Sequence, residues 1–480
     1  MKDKDRGFKF FSGRMLVFVL ILLLGTGCLA FAEGSETSDG IQYAILDAGT
    51  VIDEKMMSLA AGTAVTYLDV DTKIKAIRTA DSLPDGFEPS DANTISDASS
   101  PYPIYIFFDN TDDAGIMYIY TEGDRIASGS SLGWAFNNMS ALADISGLAD
   151  WDVSQNVDLR CTFYGTTSLK DVFPLEKWDT GNVVIFGGTF FHSGITDATP
   201  LSDWDTSSAK SMTYMFAKAK SLRFADVSGW NTSQVVTMNS MFSVGDSYQG
   251  NGELRGIRGL DNLDVSSVQD MTCMFYGAGN MTHYDISGWD VSSVVSFNHM
   301  FCDNFRLESL DLSGWDVSNV RTMFDMFDDC YALTTIGDVS HWNTASLIDA
   351  GGWLNGASSF TGDNGTLDLS GWDTSNLKAT GEMFRGVKLQ TIDLSGWTFS
   401  SITNEKWQGA GDGIYYESGN TSGYKGMAGM FLNASELAHV YVSQAGYDEL
   451  QEVAGRGVDV TDMWSGAMTE TPELRVQSLE

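Results

Sequence analysis

Aspartate is the residue whose placement in this chain most suggests chemistry. It stands four positions ahead of a tryptophan in Asp226, Asp285, Asp311, Asp338, Asp368 and Asp393. A row of carboxylates at such regular spacing has three uses: holding cations, meeting a basic partner, or hydrogen-bonding its own backbone. Stacked at about 5 Å the carboxylates repel one another, so one of those three must offset the repulsion. The row from Asp285 through Asp311, Asp338 and Asp368 to Asp393 is the cation candidate. Repulsion also predicts that Asp311→Asn and Asp338→Asn leave the fold intact or firmer.

Other chemistry is sparse. The histidines, His192, His283, His299, His341 and His439, are scattered, and no HExxH, GxSxG, P-loop or strand-associated GxGxxG stands out. The run from Asp109 to Gly115 has the composition of a calcium loop, but it lacks the closing Glu and flanking helices, and it reads as a polar turn. Cys161, Cys273, Cys302 and Cys330 form no CxxC and no zinc-type spacing with His. They read as small apolar fillers, with the pairing of Cys302 and Cys330 left open. No catalytic residue and no cofactor are expected.

The aspartates must be positioned by a repeat. Gly-Trp-Asp-x-Ser recurs with a step of about 26 residues, at Trp151, Trp178, Trp204, Trp230, Leu263 (in place of Trp), Trp289, Trp315, Trp342, Trp372 and Trp397. A Phe follows twelve residues later in the clearest copies: Phe216, Phe242, Phe301, Phe327 and Phe384. A period of this size marks a solenoid, in which each unit buries its apolar face only against its neighbours. Within one copy, Leu310 and Leu312 alternate with Asp311 and Ser313, which predicts a strand with the Asp row facing outward. Asp316 and Ser318 predict a corner held by side chain to backbone hydrogen bonds. Val320, Met323, Met326 and Phe327 recur at three- and four-residue spacing, which predicts a short strand leading into a helical or 3₁₀ turn with its apolar side inward. A tryptophan at one fixed phase predicts a core stripe rather than a carbohydrate-stacking platform.

The repeat LxxLDLSGWDxSNVxxMxxMF, carried by Leu307–Phe327, Leu389–Trp397, Leu367–Phe384 and Met281–Phe301, resembles bacterial leucine-rich-repeat surface proteins of the BspA type. It is especially similar to the subfamily with Gly-Trp-Asp-Thr-Ser and Met-Phe signatures. The resemblance spans about Trp134–Phe431, and the 103–109 strand is similar to a hairpin of those proteins. It implies a leucine-rich-repeat-like right-handed coil, a secreted or cell-surface location, adhesion or host-factor binding, and no catalytic residues.

The rest of the chain fits that frame. A basic stretch, the apolar run Met15–Leu24 and small residues after it read as an export signal over 1–32. Two processing routes compete: cleavage after Ala32, or lipidation of Cys28, which would be the chain's only membrane attachment. Residues 33–130 read as a β-rich cap with strands at Ile41–Leu46 and Ala64–Val70 and a hairpin over 103–120. Residues 131–435 are the repeat array, and 436–480 a C-terminal cap with an edge strand at Leu437–Val442 and helical turns at Tyr447–Ala454. The net charge is −36, and the first 32 residues carry five of the basic residues, so the remainder is still more negative. Such a field disfavours nucleic acid and anionic lipid. The expected function is an exported, non-enzymatic binding or adhesion module whose partner is a host or matrix protein. A carbohydrate- or cell-wall-binding module would need exposed Trp or Tyr. A hydrolase would need a pocket of polar residues in the 33–130 cap.

Overall fold

The computed structural model describes residues 41–246, 249–404, 426–464 and 473–476. The export segment with Cys28 and Ala32, and the Gly- and Tyr-rich stretch after Asn404, lie outside the described residues.

The N-terminal cap is mixed rather than purely β. Strand β1 (Tyr43–Ile45) leads into helix α1 (Gly49–Ala61), followed by β2 (Ala76–Thr79), β3 (Ile104–Asp109), β4 (Ile116–Thr121) and β5 (Arg125–Ala127). The hairpin forms as expected, with β3 antiparallel to β4, and β2 joins β4 in parallel. The helix replaces expected β structure because Ile52, Met56, Met57 and Ala60 share one buried face at helical spacing. The strand expected at Ala64–Val70 is absent; Leu68 and Val70 are exposed there in a turn. The chain reaches the array through β5, which pairs with β1, and through a parallel bridge from Ala127 to Asp152.

The array is organised by backbone ladders between equivalent residues of successive repeats. The most complete lies six positions after the tryptophan. There the N–H of Val184 donates to the carbonyl of Val157, Lys210 to Val184, Val236 to Lys210, and so on in unbroken order to Thr403. The next residue in each repeat forms a chain of parallel bridges from Ser131 through Asp158, Ile185 and Ser211 to Ala379. A second, discontinuous ladder carries the Asp row: β6 (Phe224–Asp226) with β7 (Gly256–Arg258), and β8 (Thr366–Asp368) with β9 (Thr391–Leu394) and β10 (His439–Val442). In the first three copies a 3₁₀ turn stands before the motif position instead, for example Phe173–Leu175 and Thr199–Leu201, each with Pro in its first turn, and the Leu263 copy has both β7 and a 3₁₀ turn. The strand expected ahead of every tryptophan is therefore real only in some repeats. The tail behaves as a further rung. β10 lies between β9 and β11 (Glu473–Val476), so it is not the expected edge, and α2 (Gln444–Glu452) follows it.

The helical turn expected at Val320–Phe327 does not form. In most repeats two residues, ten and fourteen after the motif position, adopt left-handed backbone: Asp325 (φ 51°) and Asp329 (φ 57°) in this copy, Cys273 and Gly277 in another. Left-handed backbone ends a right-handed helix. The N–H groups then alternate in destination. Met323, Asp325, Phe327 and Asp329 donate to the next repeat, while Met326, Asp328 and Cys330 donate three residues back. Every second peptide thus bonds across repeats, which satisfies the buried backbone without a helix.

The interior is a column of stacked rings. Phe136, Phe163, Phe190, Phe216 and Phe242 follow one another with centroids 5.3–5.7 Å apart. Phe275, Phe301 and Phe327 continue it at 5.6 and 5.5 Å. Leu354 interrupts the phenylalanine position, and Trp353 beside it meets Phe327 and Trp372. The tryptophans at the motif positions are no more than 5% exposed.

Candidate interaction surfaces

From Trp178 onward the motif tryptophans share one bond, while the buried indole N–H of Trp151 in the first copy has no hydrogen-bond partner. The indole N–H of Trp178 donates to the Leu148 carbonyl (3.0 Å), that of Trp204 to Leu175 (2.9 Å), and that of Trp315 to Ile286 (3.2 Å). In every case the acceptor lies in the preceding repeat. A buried Trp needs such a partner, and here the partner ties neighbouring repeats together. The Thr two positions on donates to the following repeat: Thr206 to the Asn231 carbonyl and Thr344 to that of Asp373. The corner expected at Asp316 and Ser318 is present, with the Ser318 N–H donating to the Asp carboxylate at 3.0 Å.

The predicted Asp row is also built of corners. Asp285, Asp311, Asp338 and Asp368 are exposed and Asp393 is half-buried. The N–H groups of Ser313, Ser340, Ser370 and Ser395 donate to Asp311, Asp338, Asp368 and Asp393 at 2.9–3.1 Å. The Ser313 hydroxyl adds a 2.6 Å bond, and together these hold the Asp311 pKa below its ordinary value. The same Ser bonds lower that of Asp338. Of the three offsets to carboxylate repulsion, the structure supplies bonds from neighbouring Ser residues. Among the described residues no cluster of three or more His, Cys, Asp or Glu side chains is placed to hold a metal ion, the five row members included.

The other candidate residues stay separate. The four described cysteines are free. The Cys330 thiol donates to the Phe301 carbonyl at 3.0 Å, and burial pushes its pKa well up. His299 Nδ1 lies 3.7 Å from Asp325, yet burial lowers the histidine pKa to about 4, so the pair is not an ion pair near neutrality. Asp303, Asp325 and Asp328 are buried close by, and desolvation with carboxylate neighbours raises the pKa of Asp328. No described helix is long and apolar enough to cross a membrane.

One surface feature escaped the sequence reading. A groove of about 960 Å³ runs over five consecutive repeats, lined by residues four and six after each motif position, among them Val295, Asn319, Arg321, Ile348, Asn376 and Lys378. The residues four on are spent on the stack: Asn319 donates to the Ser292 carbonyl and Asn376 to that of Ala345, both at 2.8 Å. Aligning the repeats by their tryptophans exposes this row, since Asp and Glu are missing from both positions in all ten copies.

No curated protein matches the chain. Among solved structures it is similar to a leucine-rich repeat protein from Bacteroides ovatus ATCC 8483, at 14% identity over 74% of this chain and 84% of that one, with a TM-score of 0.28. It is also similar to a chain of the TLR13–ssRNA13 complex, at 12% identity over 73% of this chain and 46% of that one, with a TM-score of 0.20. A family model described as "Mycoplasma protein of unknown function, DUF285" matches residues 130–255, 248–367 and 335–410. These overlapping matches cover most of the repeat array and more than half of the 480 residues, so the chain belongs to that DUF285 family.

Proposed function

We propose that this chain is an exported, non-enzymatic binding protein that uses its stacked repeats to hold a host or matrix protein. In this reading the stack is a right-handed, leucine-rich-repeat-like solenoid of the BspA type. The export segment is removed after Ala32 or lipidated at Cys28, and the array stands at the bacterial surface. The observation that carries it is the exposed line of Asp285, Asp311, Asp338 and Asp368 beside a wholly internal aromatic column. A repeated carboxylate edge complements a partner with basic residues at similar spacing. Among the described residues the buried motif tryptophans offer no indole stripe for sugar rings.

The test is surface plasmon resonance of the full chain over immobilised matrix proteins across a salt series. A variant with Asn at Asp285, Asp311, Asp338 and Asp368 is run in parallel, with circular dichroism to verify its fold. Saturable binding that weakens with salt and in the folded variant supports the proposal. Absence of binding to any matrix protein, or binding the variant leaves unchanged, overturns the role of the row.

A further inference from the structure

Helix α1 lies at the junction of the cap and the first repeat. Its buried positions are Gly49, Ile52, Asp53, Met56, Met57 and Ala60, one stripe at helical spacing in which Asp53 alone is ionisable. The stripe sits hard against the array. The Gly49 N–H donates to the Ser131 carbonyl at 3.2 Å, and a Cβ at Gly49 would meet the Gly133 carbonyl oxygen at 2.3 Å. Asp53 is 0% exposed, and neither carboxyl oxygen has a hydrogen-bond partner among the described residues. The nearby Asn137 N–H donates to the Trp134 carbonyl instead, at 3.3 Å, and the Asn137 side-chain amide donates to the Tyr67 carbonyl. Asn137 Oδ1 is a second buried acceptor without a donor. A contact with unmet acceptors on both sides is completed by a proton on the carboxyl group.

The charged groups around Asp53 are otherwise engaged. On its own helix Glu54 accepts from the Tyr67 N–H, and Lys55 is held by Asp91. In the following loop the Asp71 carboxylate accepts the Lys73 and Ile74 N–H groups, and the Lys73 ammonium donates to the Ala60 and Ala61 carbonyls. The first repeat has no ionisable side chain from Leu132 to Ser140, and Arg160, which lies against Gly133, is held by Asp158. Burial raises the Asp53 pKa well above its ordinary value; the Asn137 N–H opposes the rise, and the charges of Glu54 and Asp71 add to it.

We propose that Asp53 makes the seating of α1 on the array proton-dependent: the helix is seated with Asp53 protonated and lifts locally as Asp53 ionises. Ionisation in place would bury an uncompensated charge, so the carboxylate reaches water by movement of the helix. Ile52, Met56, Met57 and Ala60 come to the surface with it. The rest of the cap has attachments of its own, from the Asp71 N–H to the Asn138 carbonyl, from the Ile77 N–H to the Asp144 carbonyl, and between β1 and β5. Because the folded pKa is the raised one, seating is favoured in full below about pH 4 and progressively less as the pH climbs toward that folded value.

The experiment is amide hydrogen exchange of the full chain, read by mass spectrometry at pH 5 and pH 8, with every rate referred to that of the unfolded chain at the same pH. In wild type, protection of the Gly49–Ala61 segment should fall at least about ten-fold between the two, the equivalent of one pKa unit, while segments around Phe242 and Phe327 keep theirs. In Asp53→Asn, which is neutral at both pH values, helix protection should be the same at both. Asp53→Leu, which fills the site with apolar atoms, should behave alike and serves if the Asn variant does not fold. Unchanged helix protection in wild type, an equal fall in a folded variant, or a parallel loss around Phe242 and Phe327 would each overturn the proposal.

Discussion

The tryptophan, aspartate and threonine of the motif make bonds that recur from copy to copy. The indole of Trp315 fills core volume and donates to the Ile286 carbonyl, so Phe there loses both packing and a partner for a buried acceptor. We expect Trp315→Phe to cost about 2–4 kcal/mol in urea unfolding. Asp311 acts through charge held in place by Ser313, and Asp311→Asn should cost at most about 1 kcal/mol. Its folded pKa lies below the ordinary value, so its contribution is present above about pH 4 and lost as the pH falls through the folded pKa. Unfolding curves at neutral and strongly acidic pH should show the difference between wild type and variant close. Asp349 has the opposite sign. Its folded pKa is raised to about 6, so the native state loses stability as pH rises from about 4 to 6 and gains none back above. Asp349→Asn keeps an acceptor for the Gly351 N–H and should stabilise the chain at pH 8 but not at pH 4. The sequence announced the tryptophans and the Asp-x-Ser corner, because side chain type and spacing specify both. It did not announce that the Asp row is a second set of corners, since a carboxylate two residues before a Ser is equally compatible with a strand facing solvent.

At the level of elements, periodicity misled where backbone bonds leave the repeat. Val320, Met323, Met326 and Phe327 have helical spacing, but they are buried on a segment kinked twice by left-handed residues. The signal was present in fragments. Gly188 and Gly352 occupy the first kink in their repeats, and Gly165, Gly277, Gly356 and Gly386 the second. Asp, Cys, Tyr, His and Glu at the same positions elsewhere hid it. Gly356 is the sharpest case: its φ is 72°, and a Cβ there would lie 2.4 Å from the Asp329 side chain and 3.3 Å from its Cα. Gly356→Ala should therefore cost about 1–3 kcal/mol, read as a lower thermal midpoint, whereas Asp325→Gly at the first kink should be close to neutral. The alternation of strand and 3₁₀ turn ahead of the tryptophan follows local sequence. Pro174 and Pro200 favour the turn, and Thr-Leu-Asp at 366–368 and Thr-Ile-Asp at 391–393 favour the strand.

Over the whole molecule, negative charge and a dry interior are two sides of one arrangement. The carboxylates concentrate at corners, where they accept backbone N–H groups, while aromatic rings and aliphatic side chains pass through the middle from Phe136 to Phe431. The array was legible at this scale because ten motif copies at a step of about 26 residues admit few alternatives. The cap was less so, having one copy of everything and a helix whose apolar face is short. The most direct test of the stacked interior is tryptophan emission of the full native chain with acrylamide quenching, compared with the chain in urea. Native emission should be strongly blue-shifted and poorly quenched, with both properties lost together on unfolding. Emission at the unfolded wavelength in native buffer, with free quenching of most indoles, would contradict the account.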